Sequence, residues 1–242
     1  MKINNCLREP QPTVDTGSQS QQLESFFHKI IPSFLIITYS HSLIKSKKMK
    51  LLTTLILLIS FTNFAQSWTK EELAKANTLA KVVDLTEVEK EAIMYINLAR
   101  MYPKKFVEIE VKKYEPPSDA YVKLLEDSPY IESLIDELNE LEPMAPFVYD
   151  EALQEFASCF AAEQGASGYM GHKRKKCAAG NYAECCAYDM ATGKHIAFQL
   201  LIDHGVPSLG HRINCLNPEY SKIGISVADH AKANVCAVLD MY

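Results

Sequence analysis

The first strongly periodic segment begins at Thr86. "TEVE" has the form of a capping box, in which the Thr86 hydroxyl accepts from the Glu89 amide while the Glu89 carboxylate reaches back. Ile93, Ile96, Asn97 and Arg100 then fall at i, i+3, i+4 and i+7, which predicts a helix over about 86–101, stopped by Pro103. The stripe turns polar at its C-terminal end. Buried polar groups are normally paired, so Asn97 and Arg100 are expected to hold backbone groups of a neighbouring element. Residues 68–85 read as a polar, helix-prone lead-in. Residues 103–146 are charged and punctuated by proline, with one helix expected over about 118–141, where Leu134, Leu138 and Leu141 share a stripe. They read as an insertion covering one side of the core.

The clearest helical pattern is "PFVYDEALQEFASCFAAEQGASG". Asp150 is its expected N-cap, Leu153, Phe156, Ala157, Phe160 and Ala161 its apolar stripe, and Gly165 and Gly168 its close. A cysteine-rich loop is expected from Gly168 to Thr192. A third helix follows over about 192–204, ended by Gly205 and Pro207, and then a short turn or helix carrying His211. "KIGISVA" and "NVCAVLDMY" alternate as strands around a short polar turn and predict an antiparallel hairpin.

Charge divides the chain. Residues 1–67 hold seven Lys/Arg and three Asp/Glu, leaving 18 basic and 27 acidic residues in the remainder. An acidic body excludes nucleic acid as the default partner, since phosphate neutralisation needs clustered Lys/Arg. The run His172-Lys173-Arg174-Lys175-Lys176 is a local exception and reads as a solvated loop. Lysines at 45, 47, 48 and 50, the apolar run Leu51 to Phe61 and the exit "TNFAQS" have the layout of a secretory signal. Met49 opens that signal, so 49–67 is the expected signal peptide and 1–48 upstream sequence or an N-terminal extension. The apolar run is too short to span a bilayer. The expected destination is secreted or periplasmic, with no stable membrane span once the signal is cleaved.

Export changes the reading of cysteine. Beyond Cys6 there are six: Cys159, Cys177, Cys185, Cys186, Cys215 and Cys236. An even number in an exported domain reads as a disulfide set, and spacing does not choose the pairing. Cys185 and Cys186, being neighbours, are expected to reach different partners. No C-x2-C pair suggests structural zinc. A Cys–His nucleophile fits poorly with sulfurs expected in disulfides. No G-x-S-x-G elbow or phosphate-binding glycine loop occurs.

Candidate chemistry rests on histidines next to acids in loops. His172, Glu184 and His211 qualify. Two imidazoles and a carboxylate can hold a divalent ion, zinc being the usual choice, or can form a hydrogen-bonded cluster around water. His195, His204 and His230 read as surface or helix-flank side chains.

Taken together, these segments resemble the CAP superfamily (cysteine-rich secretory proteins, antigen 5 and pathogenesis-related 1 proteins), and within it the bacterial SCP-like extracellular type. The resemblance runs from about Leu85 to Tyr242. "AIMYINLARMYP" resembles the first helix with its N-x-x-R. "PFVYDEALQEFASCFAAEQ" resembles the P-L-x-W-D-x-x-L segment, with Tyr149 in place of Trp. "GHKR" supplies a first family histidine, His172, and "YAECCAY" stands in the G-E-N position and supplies Glu184. "GHRINCLNPEYSKIGISV" is similar to the bacterial G-H-R-x-x-I-L-x-P form and supplies His211. The second family acid, usually Glu, is met only by Asp203, one methylene shorter. The resemblance implies an α+β fold, a three-layer α–β–α sandwich around a mainly antiparallel sheet, formed by a single domain over 68–242. It implies a cleft lined by His172, Glu184 and His211, with Asp203 nearby, that can take zinc or another divalent metal on His172 and His211. The expected function is binding of an envelope component, another macromolecule or a lipophile. The alternative is a metal-dependent hydrolase or peptidase with Glu184 as general base. A structural envelope protein, in which the polar cluster only stabilises the fold, is the third.

Overall fold

The computed structural model describes residues 67–242. The expected upstream segment 1–48 and nearly all of the signal 49–67 lie outside the described residues. The elements are α1 (Lys70–Ala76), α2 (Glu87–Met101), α3 (Pro103–Ile109), a 3-10 turn (Val111–Lys113), α4 (Asp119–Leu125), α5 (Pro129–Glu140), β1 (Val148–Tyr149), α6 (Glu151–Ser167), β2 (Ala183–Tyr188), α7 (Gly193–Ile202), α8 (Gly210–Cys215), β3 (Lys222–His230) and β4 (Asn234–Met241). The fold is α+β. Its four-stranded sheet has the order β1-β3-β4-β2, antiparallel except where β1 joins β3.

Successive residues of a strand face opposite sides, and the two faces bury different helices. Cys186 and Val238 pack with Ala157, Phe160 and Ala161 of α6. Cys185, Ala187, Ile225 and Leu239 join the main core with Ile93 and Ile96 of α2 and Phe198 and Leu201 of α7. Two glycines permit this close packing. A Cβ on Gly224 would lie 2.3 Å from the α6 backbone at Leu153 and Gln154, and one on Gly193 would lie 2.4 Å from the α2 backbone at Val88 and Ala92.

The capping box at Thr86 forms as expected, with Glu89 hydrogen-bonded back to the Thr86 amide at 2.7 Å. Asn97 and Arg100 are fully buried and hold backbone. The Asn97 side chain accepts from the Phe147 amide at 2.7 Å and donates to the carbonyls of Ala76 and Phe147. Arg100 donates to the carbonyls of Ala145, Cys215, Asn217 and Tyr220 and stacks on Phe147. One helical side chain thus fixes both the approach to β1 and the chain between α8 and β3.

Three local expectations are corrected. The single helix over about 118–141 is two, because Asp127 takes a positive φ of 57° and Ser128-Pro129 starts a new N-terminus. The loop from Gly168 to Thr192 contains β2, which is short and carries a glutamate at its start. His230 is buried, its Nε2 facing the Tyr169 carbonyl at 3.1 Å and its Nδ1 accepting from the Ala233 amide at 3.0 Å.

The cysteines also differ from expectation. Cys159 and Cys177 form a disulfide, whereas Cys185, Cys186, Cys215 and Cys236 are buried thiols. Alternation along β2 turns Cys185 and Cys186 to opposite faces. Cys186 lies opposite Val238, so Cys236 on the same face is its diagonal neighbour, at a typical separation of about 7–8 Å that exceeds disulfide reach. Cys185 lies beside Cys215, and that neighbour together with full burial raises its pKa well above the ordinary thiol value.

Candidate functional site

The site forms over β2, the edge strand of the sheet. Glu184 and Cys186, two residues apart, project to the α6 side, while the Cys185 sulfur faces α8, 3.7 Å from the His211 carbonyl. At the end of β2 its backbone is covered by a side chain: Gln199 of α7 accepts from the Tyr188 amide and donates to its carbonyl.

His172 reaches this edge from the segment after α6. That segment is held twice. The Cys159–Cys177 disulfide ties it to α6, and the Glu163 carboxylate accepts from the amides of Lys175, Lys176 and Cys177 at 2.7–3.0 Å. Those bonds hold the Glu163 carboxyl below its ordinary pKa. His211 arrives from the other side on α8. Asp203, a buried residue in the left-handed C-cap of α7, accepts from the His211 amide at 2.9 Å and pairs with its Nδ1 at 2.7 Å. Arg212 fixes the direction of α8 by donating to the carbonyls of Leu201, Ile202 and Tyr130.

The two imidazole rings face each other with centroids 6.1 Å apart. Both have a carboxylate on Nδ1, since His172 pairs with Glu184 at 2.8 Å. A carboxylate accepting at Nδ1 places the ring hydrogen there and leaves Nε2 as the other nitrogen of each ring. The Glu184 partner raises the pKa of His172. His172, Glu184, His211 and Asp203 therefore converge. Asp203, despite its shorter side chain, reaches His211 because α7 ends directly beneath α8.

Arg174 was expected in a solvated basic run, and its side chain is only 6% exposed. It donates from Nε and Nη2 to Glu184 Oε2 and from Nη2 to Asp240 at 2.8 Å. Asp240 stands opposite Glu184 in the β2–β4 register and is fully buried, with Oδ1 unpartnered. Burial, assisted by Glu184 against the opposing pull of Arg174, pushes its pKa up to about 7. Neither residue was singled out from sequence. Arg174 was hidden in its run of lysines, and Asp240 ends a strand that otherwise reads as apolar.

The histidines separate two lobes of a cleft. The larger, about 570 Å³, is lined by Arg174, Tyr182, Glu184, Ser208 and Asn214 besides the two histidines. The smaller, about 280 Å³, has Tyr121 and Leu124 of α4, Leu200 and Cys186 in its wall. No protein-family model and no curated protein matches the chain. Among the described residues, no helix is long and apolar enough to cross a membrane.

His172, Glu184 and Cys186 form a cluster that can hold a metal ion, their donor atoms all lying within 4.8 Å of one another. His211, expected as the second ligand, does not belong to that set, and Cys186, expected in a disulfide, does. The signal for Cys186 was its i, i+2 relation to Glu184, legible only once β2 is seen as a strand.

Proposed function

We propose that this is an exported protein of the CAP type that acts by binding, its ligand seated in the cleft over β2 and a divalent cation carried from His172. The observation that carries this reading is the engagement of Glu184. Oε1 is paired with His172 and Oε2 with Arg174, so both oxygens already serve as acceptors for protein groups. A general base must present a free acceptor to the proton it removes. With both oxygens committed to protein partners, Glu184 is better placed to hold a ligand or ion than to act as a base, which favours binding over hydrolysis. Carboxylates on the Nδ1 atoms fix the orientation of both rings. The Cys159–Cys177 disulfide supports an oxidising destination outside the cytosol. Both lobes are lined mainly by apolar surface, with Arg174, Glu184 and Asn214 adding polar groups to the larger one, which suits an envelope component or other amphipathic ligand.

Isothermal titration of zinc into the purified protein tests this reading. One ion per chain is expected, with at least a tenfold loss of affinity in His172→Ala. Absence of zinc binding near neutral pH contradicts it, and zinc-dependent peptide or ester hydrolysis by the wild type returns the hydrolase alternative.

A further inference from the structure

We propose that the cation site is a mixed nitrogen–oxygen–sulfur site, made of His172 Nδ1, Glu184 Oε1 and the Cys186 thiolate, and selective for thiophilic divalent ions such as zinc or cadmium. This rests on the reading that the cleft takes a cation and deepens it by naming the ligands and the class of ion.

The three donors already form a triangle. Nδ1 to Oε1 is 2.8 Å, Sγ to Nδ1 3.9 Å and Sγ to Oε1 3.8 Å. Metal bonds of about 2.0–2.1 Å to N or O and about 2.3 Å to S place tetrahedral donors about 3.3 Å (N to O) and about 3.6 Å (to S) apart. An ion therefore requires the short edge to open by about 0.5 Å and the two sulfur edges to tighten slightly. His172 is exposed and able to make that adjustment, and Cys186 and Glu184 are fixed by the β2–β4 ladder.

The surroundings supply what such a site needs. Gln164, fully buried on α6, directs its side-chain N–H at the Cys186 sulfur from 3.5 Å, a contact that favours thiolate. Gln164 is itself held by the Tyr188 hydroxyl and donates to the Gly171 carbonyl at 2.7 Å. Arg174 fixes the other oxygen of Glu184. Cys186 lines the smaller lobe of the cleft, which gives an ion a route in. Without metal, burial pushes the Cys186 thiol up to about 12, so the site holds a neutral S–H. Binding breaks that S–H bond, forms metal–sulfur and releases one proton to water. The hydrogen on His172 Nδ1 moves to Nε2 by exchange with solvent. No electrons are transferred.

Cobalt(II) substitution of the full-length protein tests this. A near-ultraviolet sulfur-to-cobalt charge-transfer band is expected, absent in Cys186→Ser and retained in His211→Ala. Cadmium-113 NMR of the unmutated protein is the second readout, independent of whether the variant folds, and is expected to give a resonance deshielded by one thiolate. Cobalt bound without the charge-transfer band, together with a cadmium resonance typical of N/O donors only, overturns the sulfur site and leaves the cation reading standing. A charge-transfer band that persists in folded Cys186→Ser overturns it as well. Failure to bind either ion overturns both readings.

Discussion

Arg174 lies between two carboxylates that the sheet places face to face. Glu184 and Asp240 are register partners on β2 and β4, and without the guanidinium two acids would share a nearly dry site. Asp240 is the more deeply buried of the two, and its pKa is raised from 3.8 to about 7. Between those values the folded protein binds a proton that the unfolded chain releases. Stability from this group is therefore present in acid and lost as pH rises through about 7. The raised pKa of His172 acts in the same direction: its contribution is complete below the ordinary histidine value and disappears above the folded one. Asp240→Asn should flatten the dependence of the urea midpoint on pH between about 4 and 7. A variant curve parallel to that of the wild type would show that Asp240 ionises normally.

At the scale of elements, the segments legible in sequence were those whose signals are local. The Thr86 capping box, the Asp150 N-cap and the alternation of the β3–β4 hairpin depend on neighbours within one or two turns. The polar end of the α2 stripe was also informative, because a buried Arg or Asn must bond to something. β2 was missed because its defining partners are on β4, about fifty residues later, and because six residues starting in "AEC" give little alternation. The break between α4 and α5 was missed because a Ser-Pro start to α5 competes with a continuing leucine stripe. Packing between α6 and β3 was invisible in the same way, since the closeness at Gly224 follows from tertiary contact. Its Cβ would meet helix backbone, which cannot rotate away. Gly224→Ala should cost about 1–3 kcal/mol in chemical denaturation. A change under about 0.5 kcal/mol would mean that α6 can lift from the sheet, because surface-like sites tolerate substitution at that level.

Across the whole molecule, the cleft joins three regions far apart in sequence: the disulfide-tied segment after α6, the edge strand β2 and the α7–α8 corner. His172, Glu184 and His211 were legible as a group through their resemblance to a family pattern. The role of Cys186 was not, since counting cysteines assigns partners without regard to which face of a strand each occupies. Differential alkylation with peptide mapping checks the resulting distribution. Cys185, Cys215 and Cys236, all fully buried, should label only after denaturation, and Cys159 and Cys177 only after reduction. Labelling of any of the first three in the native protein would mean the core is open. Every role proposed for the cleft turns on a cation being held over β2. A crystal structure of the protein with zinc, using the anomalous signal at the zinc edge, tests it directly. The predicted result is a single strong peak within bonding distance of His172 and Glu184, with Cys186 as the sulfur ligand. A peak elsewhere, or none at saturating zinc near neutral pH, would contradict it.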